Sequence, residues 1–295
     1  MRATFYLIIA TIFLGLNFHL AKIILKEVNF IEAGFWRFLF GVVTLIVLGA
    51  KRLPTFKIIR KNLKGISLTG FVGLFGFNIF FFLGLLNTSA VNAALIVSLN
   101  PSLTMIFSHK ILKTPINKIQ IIGIIIAFFG VSYLILKGNL TNLGNIEFNY
   151  GDILILIANI FFALHHVWVK KYATTISSLN FTLLTSFCCL VGFLILLPIS
   201  GMETITTHTS NFWVAVFGIG CLGTSLAYFL WQKGVQVTGA DKAGIYMNVV
   251  PLSAALFAIL FKEYLHNYHL VGGLCIVAGL FISKINPSKS SKALS

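Results

Sequence analysis

The chain has 295 residues, 58% of them hydrophobic and only 10% charged, with a mean hydropathy of +0.95. A water-soluble chain carries roughly 25% charged residues, so this composition argues against a soluble enzyme or binding module and makes lipid the solvent. The net charge of +15 does not indicate nucleic acid, because the basic residues fall in short gaps between apolar runs rather than in a stripe interleaved with aromatics.

About 20 mainly apolar residues cross the roughly 30 Å of membrane hydrocarbon. Ten segments meet that requirement: 3–21, 30–48, 65–86, 90–107, 119–136, 153–169, 179–197, 212–231, 243–261 and 268–285. The first is longer than a signal-peptide core and has no small-residue cleavage site before Lys22, so it reads as a retained helix. The second carries Arg37, the one fixed charge well inside a span, five residues after Glu32. That spacing does not stack two side chains on a helix, which leaves Arg37 to bind a substrate carboxylate, to pair at the outer boundary or to snorkel. Asn87–Ser89 is a link so short that the third and fourth spans form an antiparallel hairpin. The tenth span is the weakest, since Lys284 must snorkel from its end. Beyond Pro287 a Ser- and Lys-rich tail, 287–295, is expected to be disordered.

Lys and Arg in the connecting segments fix orientation. With the N-terminus in the cytoplasm, the inner side collects Arg2, the cluster from Lys51 to Lys64, Lys110, Lys113, Lys118, Lys170, Lys171, Lys233, Lys242 and the C-terminal lysines, 17 of the 22 basic residues. Only Lys22, Lys26, Lys137 and Lys262 fall outside. Both termini are therefore expected to be cytoplasmic, in a cell inner membrane.

The chain also repeats itself. ATIFLGLNFHLAK (10–22) aligns with ANIFFALHHVWVK (158–170), and GLLNTSAVNAALIVSLNP (84–101) with GVQVTGADKAGIYMNVVP (234–251). Gly70 and Gly73 map onto Gly220 and Gly223, and Gly123/Gly130 match Gly272/Gly279 in spacing. Matches in order along the chain define two units, 1–138 and 151–286, joined by an outer loop at 139–150. Each has five spans, an odd number, so the second is inverted relative to the first. The expected fold is all-α integral membrane, ten transmembrane helices as two inverted five-helix repeats. Such repeats place a substrate site near the midplane and allow alternating access.

GLNFHLAK (15–22), the NTSAVNAALIVSLNP stretch and GDILILIANIFFALHHVWVKK (151–171) resemble the EamA family of the drug/metabolite transporter superfamily, over essentially the whole chain. The resemblance implies a ten-helix carrier of amino acids and related metabolites, often an exporter. It also implies an acidic residue closing helices 4 and 9. Glu263 fits that pattern, whereas Lys113 departs from it.

Polar groups in hydrocarbon are expensive unless paired or wet, and so they nominate the cavity. The candidates are Asn17, His19, Asn78, Ser98, Asn100, His165, Tyr228, Trp231, Tyr246, Asn248 and Arg37, with Asn159 and His166 beside them. The alternative for each is an interhelical hydrogen bond. Pro101 and Pro251, at matching positions, are candidate gating kinks or packing features. The glycines serve helix packing, with a dimer seam open for Gly123/Gly130 and Gly272/Gly279. Cys188, Cys189, Cys221 and Cys275 lie in apolar runs without metal-ligand spacing, and no cofactor or metal is expected.

All seven acids lie at or near helix ends, which favours facilitated transport or exchange over tight proton coupling. No HExxH, GxSxG or deep carboxylate pair supports an intramembrane enzyme. The expected function is a carrier of small metabolites, most simply amino acids or related compounds. A larger nucleoside-like or cationic cargo, or a pore or scaffold, stands as the alternative. The expected partners are a small-molecule substrate and the bilayer, with the chain as monomer or homodimer.

Overall fold

A computed structural model describes residues 2–49, 53–139, 149–200, 208–238, 246–247 and 249–283, with backbone alone at 2, 232 and 235–238. Asn248, most of the 139–150 loop and the 287–295 tail lie outside the described residues. Eight helices among the described residues are long and apolar enough to cross a membrane: α1 (Arg2–Ile24), α2 (Phe30–Gly49), α3 (Phe56–Asn87), α4 (Ala90–Leu112), α5 (Lys118–Ile135), α6 (Tyr150–Tyr172), α7 (Ser178–Ser200) and α8, which contains Ser210–Trp231 and continues to Thr238. Two shorter apolar helices follow, α9 (Val249–Leu260) and α10 (Asn267–Ser283). The protein is an all-helical, multi-pass membrane protein. The ninth element is 12 residues long, short of the span expected from residue 243, and 243–245 lie outside the described residues.

Local chemistry sets most of the boundaries. Ser89 ends the α3–α4 link by accepting the Asn92 N–H at 3.0 Å. Asn117 and Gln120 form a reciprocal capping box at the start of α5, with contacts of 2.8 and 2.9 Å. Lys113, Lys137 and Lys262 adopt left-handed backbone just past α4, α5 and α9, where an αL residue closes the last helical turn. The basic segment Phe56–Lys64, expected as a loop, instead forms the first turns of α3, ahead of residue 65.

Three helices are irregular. In α3 a π-helical stretch, Leu68–Phe75, separates two α-helical pieces, and in α8 a second one covers Gly218–Leu226. These two stretches fall at corresponding places in the two halves. The α4 helix breaks at Ser98–Leu99, and Pro101 sits in the first turn of its second piece. Proline has no N–H for the Val97 carbonyl, so the expected mid-helix kink is an interruption. Pro251 lies in the first turn of α9 as described, where a proline removes no helical hydrogen bond.

The packing is reciprocal between the halves. Helix α1 packs on α8 and α9, while α6 packs on α3 and α4; α2 faces α7, and α5 faces α10. The α5–α10 contact is the closest. A Cβ on Gly279 would stand 2.5 Å from Ala127 N and Gly123 O, and one on Gly130 would stand 2.7 Å from Gly272 O. Lipid offers no hydrophobic drive between helices, so small residues that let backbones touch supply the dispersion energy instead. All four glycines are used inside the chain. The middle of the bundle is filled by phenylalanines: Phe77 stacks on Phe162 at 4.5 Å, and Phe75 meets Phe193 edge-on at 5.0 Å.

Candidate functional site

A central cavity of about 70 Å³ lies between α1, α2, α3, α4, α6, α8 and α9. Its wall includes Asn17, Arg37, Ser98, Asn100, Pro101 and Tyr228, set among Phe18, Phe77, Phe81 and Phe162. A neighbouring chamber of about 240 Å³ shares Leu14, Phe162, Tyr228 and Met247 with it. That chamber adds His165, His166 and Trp231, and it runs toward the end of the bundle where α6 finishes and α7 begins, at Val169 and Ser178.

The π-helical stretches position the polar groups. An i→i+5 turn leaves carbonyls that neighbouring helices can use. Asn17 on α1 donates from Nδ2 to the Gly223 carbonyl at 3.0 Å, and His165 on α6 reaches the Thr69 carbonyl through Nδ1 at 3.2 Å. Asn17 and His165 are sequence-matched, and each lies directly against a matched glycine, Gly223 or Gly73. In α8, Thr224 Oγ1 donates to the Ile219 carbonyl at 2.8 Å and accepts from Arg37 Nε at 3.1 Å.

A second network anchors α4 to α6. Asn159 Nδ2 donates to the Ile96 carbonyl at 2.9 Å, which turns its Oδ1 toward Asn100. Asn100 Nδ2 donates to that oxygen at 2.9 Å, and Asn100 Oδ1 faces His166 Nδ1 at 2.9 Å and Thr104 Oγ1 at 3.1 Å. With an amide oxygen and a backbone carbonyl as partners, His166 and His165 both carry their proton on Nδ1 when neutral. Nε2 is then the bare nitrogen of each ring.

His19, Asn78 and Tyr246 lie elsewhere, and Ser98 turns its hydroxyl to its own helix. His19 does not reach the central cavity. Its Nε2 meets the Ala254 carbonyl at 2.8 Å, its Nδ1 stands 3.4 Å from Glu263, and its ring stacks on Phe261 at 5.1 Å. It lines a pocket of about 630 Å³ at the opposite end of the bundle, with Lys22, Thr88, Asn92 and His269. Asn78 is fully buried and donates to the Leu74 carbonyl of its own helix at 2.8 Å, away from these cavities. Tyr246 donates to Thr4 Oγ1 at 3.3 Å near the start of α1 and lines none of them. Ser98 returns its hydroxyl to the Leu95 carbonyl at 2.6 Å, filling the α4 break.

Two acids at helix starts are fully buried. Glu32 accepts the Trp36 indole N–H at 3.1 Å, with His208 Nε2 at 3.6 Å. Asp152 accepts from the Thr88 hydroxyl and from Asn92 Nδ2 at 3.2 Å. Sequence reasoning missed this cluster because it read Asp152 as a boundary residue, although Thr88 stood beside the hairpin link. It missed Thr224 as well, for a hydroxyl in an apolar run gives no signal until the π turn aims it.

The chain matches the EamA-like transporter family twice, over residues 1–136 and 149–284. It is 30% identical over 279 residues to the uncharacterized transporter YyaM of Bacillus subtilis (strain 168), covering 92% of this chain and 89% of that one. It is 28% identical to YetK, another uncharacterized transporter of the same organism, over 97% of this chain and 87% of the relative. An uncharacterized transporter of Archaeoglobus fulgidus matches at 24% identity over 90% of this chain and 92% of the relative. A crystal structure with 18% identity shares the fold at a TM-score of 0.66, over 99% of each chain.

Proposed function

The chain belongs to the EamA-like transporter family, and from that membership we propose that it is an inner-membrane carrier of small metabolites that works by alternating access. Its ten helices form two inverted five-helix repeats, and the cargo is exported or exchanged. Amino acids and related compounds are the starting class of cargo. One observation carries the reading: the central cavity draws polar side chains from both halves, Asn17, Arg37 and Asn100 from the first and Tyr228 from the second. The reciprocal packing of α1 and α6 and the matched π-helical stretches support the inversion.

By the distribution of Lys and Arg, the chamber at Val169 and Ser178 faces the cytoplasm and the pocket at Lys22 and Thr88 faces the outer side. Phe18 packs edge-on against Phe81 at 5.5 Å in the wall of the central cavity, and Lys22 Nζ holds the Thr88 carbonyl at 2.6 Å. Asp152, fully buried, is held by the neutral donors Thr88 and Asn92, which suits exchange or facilitated transport without a dedicated proton path.

Counterflow in proteoliposomes tests the proposal. Preloaded unlabelled cargo should drive transient, saturable accumulation of labelled cargo, and Asn100→Ala should reduce it. Flux that rises linearly with concentration and shows no counterflow would instead indicate a pore.

A further inference from the structure

Arg37 is a buried charge without a counter-charge. It is 3% exposed and takes part in no ion pair among the described residues, and neither the central cavity nor the adjoining chamber is lined by Asp or Glu. The nearest acid on its helix, Glu32, turns to Trp36 and His208. Thr224 takes the Nε hydrogen at 3.1 Å, and the rings of Phe38, Phe81 and Phe82 lie 5.6–5.9 Å from the guanidinium carbon. Nη1 is buried with no hydrogen-bond partner, and Arg37 forms part of the wall of the central cavity. A guanidinium does not shed its proton, and a charge in a low-dielectric site is costly until it is matched.

We infer that the central cavity holds the carboxylate of an apolar monocarboxylic acid, with Arg37 as its counter-ion. This rests on the carrier reading and moves its cargo from amino acids to related carboxylic acids without the ammonium. Net charge makes the selection. A monoanion leaves the site neutral, a zwitterion brings an ammonium beside the guanidinium with no acid to match it, and a cation doubles the charge. The apolar body passes Phe162 and Met247 into the larger chamber.

A second unmatched group refines the headgroup. Asn17 Oδ1 is buried without a partner, and its amide is fixed because Nδ2 is committed to the Gly223 carbonyl. Asn17 and Arg37 line the same cavity, and an acceptor and a guanidinium in one wall fit a 2-hydroxy acid, whose carboxylate faces Arg37 while its hydroxyl faces Asn17.

The test uses the full chain in nanodiscs and a matched aromatic series: 3-phenyllactate, phenylacetate, phenylalanine and phenethylamine. Calorimetry should show 3-phenyllactate binding best, with phenylalanine and phenethylamine at least tenfold weaker. Arg37→Gln should weaken 3-phenyllactate by about ten- to a hundredfold, as expected for a charge-assisted hydrogen bond, while melting no lower than wild type. If Arg37→Gln does not fold, Arg37→Lys, which keeps the charge and loses the fork, should show a smaller loss. Asn17→Ala should affect 3-phenyllactate more than phenylacetate. Phenylalanine or phenethylamine binding as tightly as 3-phenyllactate, affinity unchanged in the Arg37 variants, or no binding across the series would overturn the inference. Saturable counterflow of a zwitterion or cation that ignores Arg37 would overturn it and leave the carrier standing. Non-saturable flux would remove the carrier reading, and calorimetry would still decide the role of Arg37.

Discussion

His166 Nδ1 lies 2.9 Å from Asn100 Oδ1, and the proton between them belongs to the histidine. The assignment follows from the Ile96 carbonyl, which can only accept and so orients Asn159, then Asn100, then the ring. In ¹⁵N spectra of histidine-labelled protein, His165 and His166 should both show the Nδ1–H tautomer. Asn159→Leu should convert the His166 signal to a mixture. It should also lower stability by about 1–3 kcal/mol, the cost of leaving buried amide groups unpaired.

The α5–α10 contact predicts a second loss. Gly279→Leu forces a side chain into the space held by the Ala127 and Gly123 backbones. Overpacking of this kind costs about 1–3 kcal/mol or more. Thermal unfolding in detergent should show the drop, whereas Phe281→Leu, at an exposed position on the same helix, should leave the midpoint nearly unchanged.

Between α1 and α2, Glu27 accepts a hydrogen bond from the Thr209 hydroxyl and the Thr209 N–H at 2.9 Å, with His208 at 3.8 Å. The hydroxyl bond, more than the others, holds the Glu27 carboxyl below its ordinary value. A carboxyl with a depressed folded pKa adds stability that is complete above its unfolded pKa and is lost as pH falls through the folded one. Thr209→Val should therefore melt below wild type near neutral pH. The gap should narrow in acid, below roughly pH 4, and leave a remainder independent of pH, because Thr209 Oγ1 also caps α8 by accepting the Phe212 N–H at 3.3 Å.

Much of the architecture was legible because apolar length is a coarse quantity that survives local irregularity. Segments such as 30–48 and 179–197 became α2 and α7 with shifts of a few residues at most. The paired glycines forecast close packing, and Arg37, Asn17 and Asn100 came together as their cost in hydrocarbon required. The π-helical stretches were not legible, because LTGFVGLF and GIGCLGTSL read as ordinary apolar helix. Without them, neither the aim of Thr224 at Arg37 nor the carbonyls used by Asn17 and His165 could be foreseen. His19 and Asn78 were misassigned for a related reason. Polarity places a residue inside the protein, but helix rotation decides whether it faces the cavity, the outer pocket or its own backbone.

Backbone contact between α5 and α10 also limits how the molecule changes shape. Side chains between two helices can exchange rotamers and let the helices slide, but main chains that touch have nothing to exchange. On the carrier reading proposed above, the pair would act as a fixed post, and the displacement that admits and releases cargo would fall to the helices lining the cavity, swinging around a fulcrum that stays still.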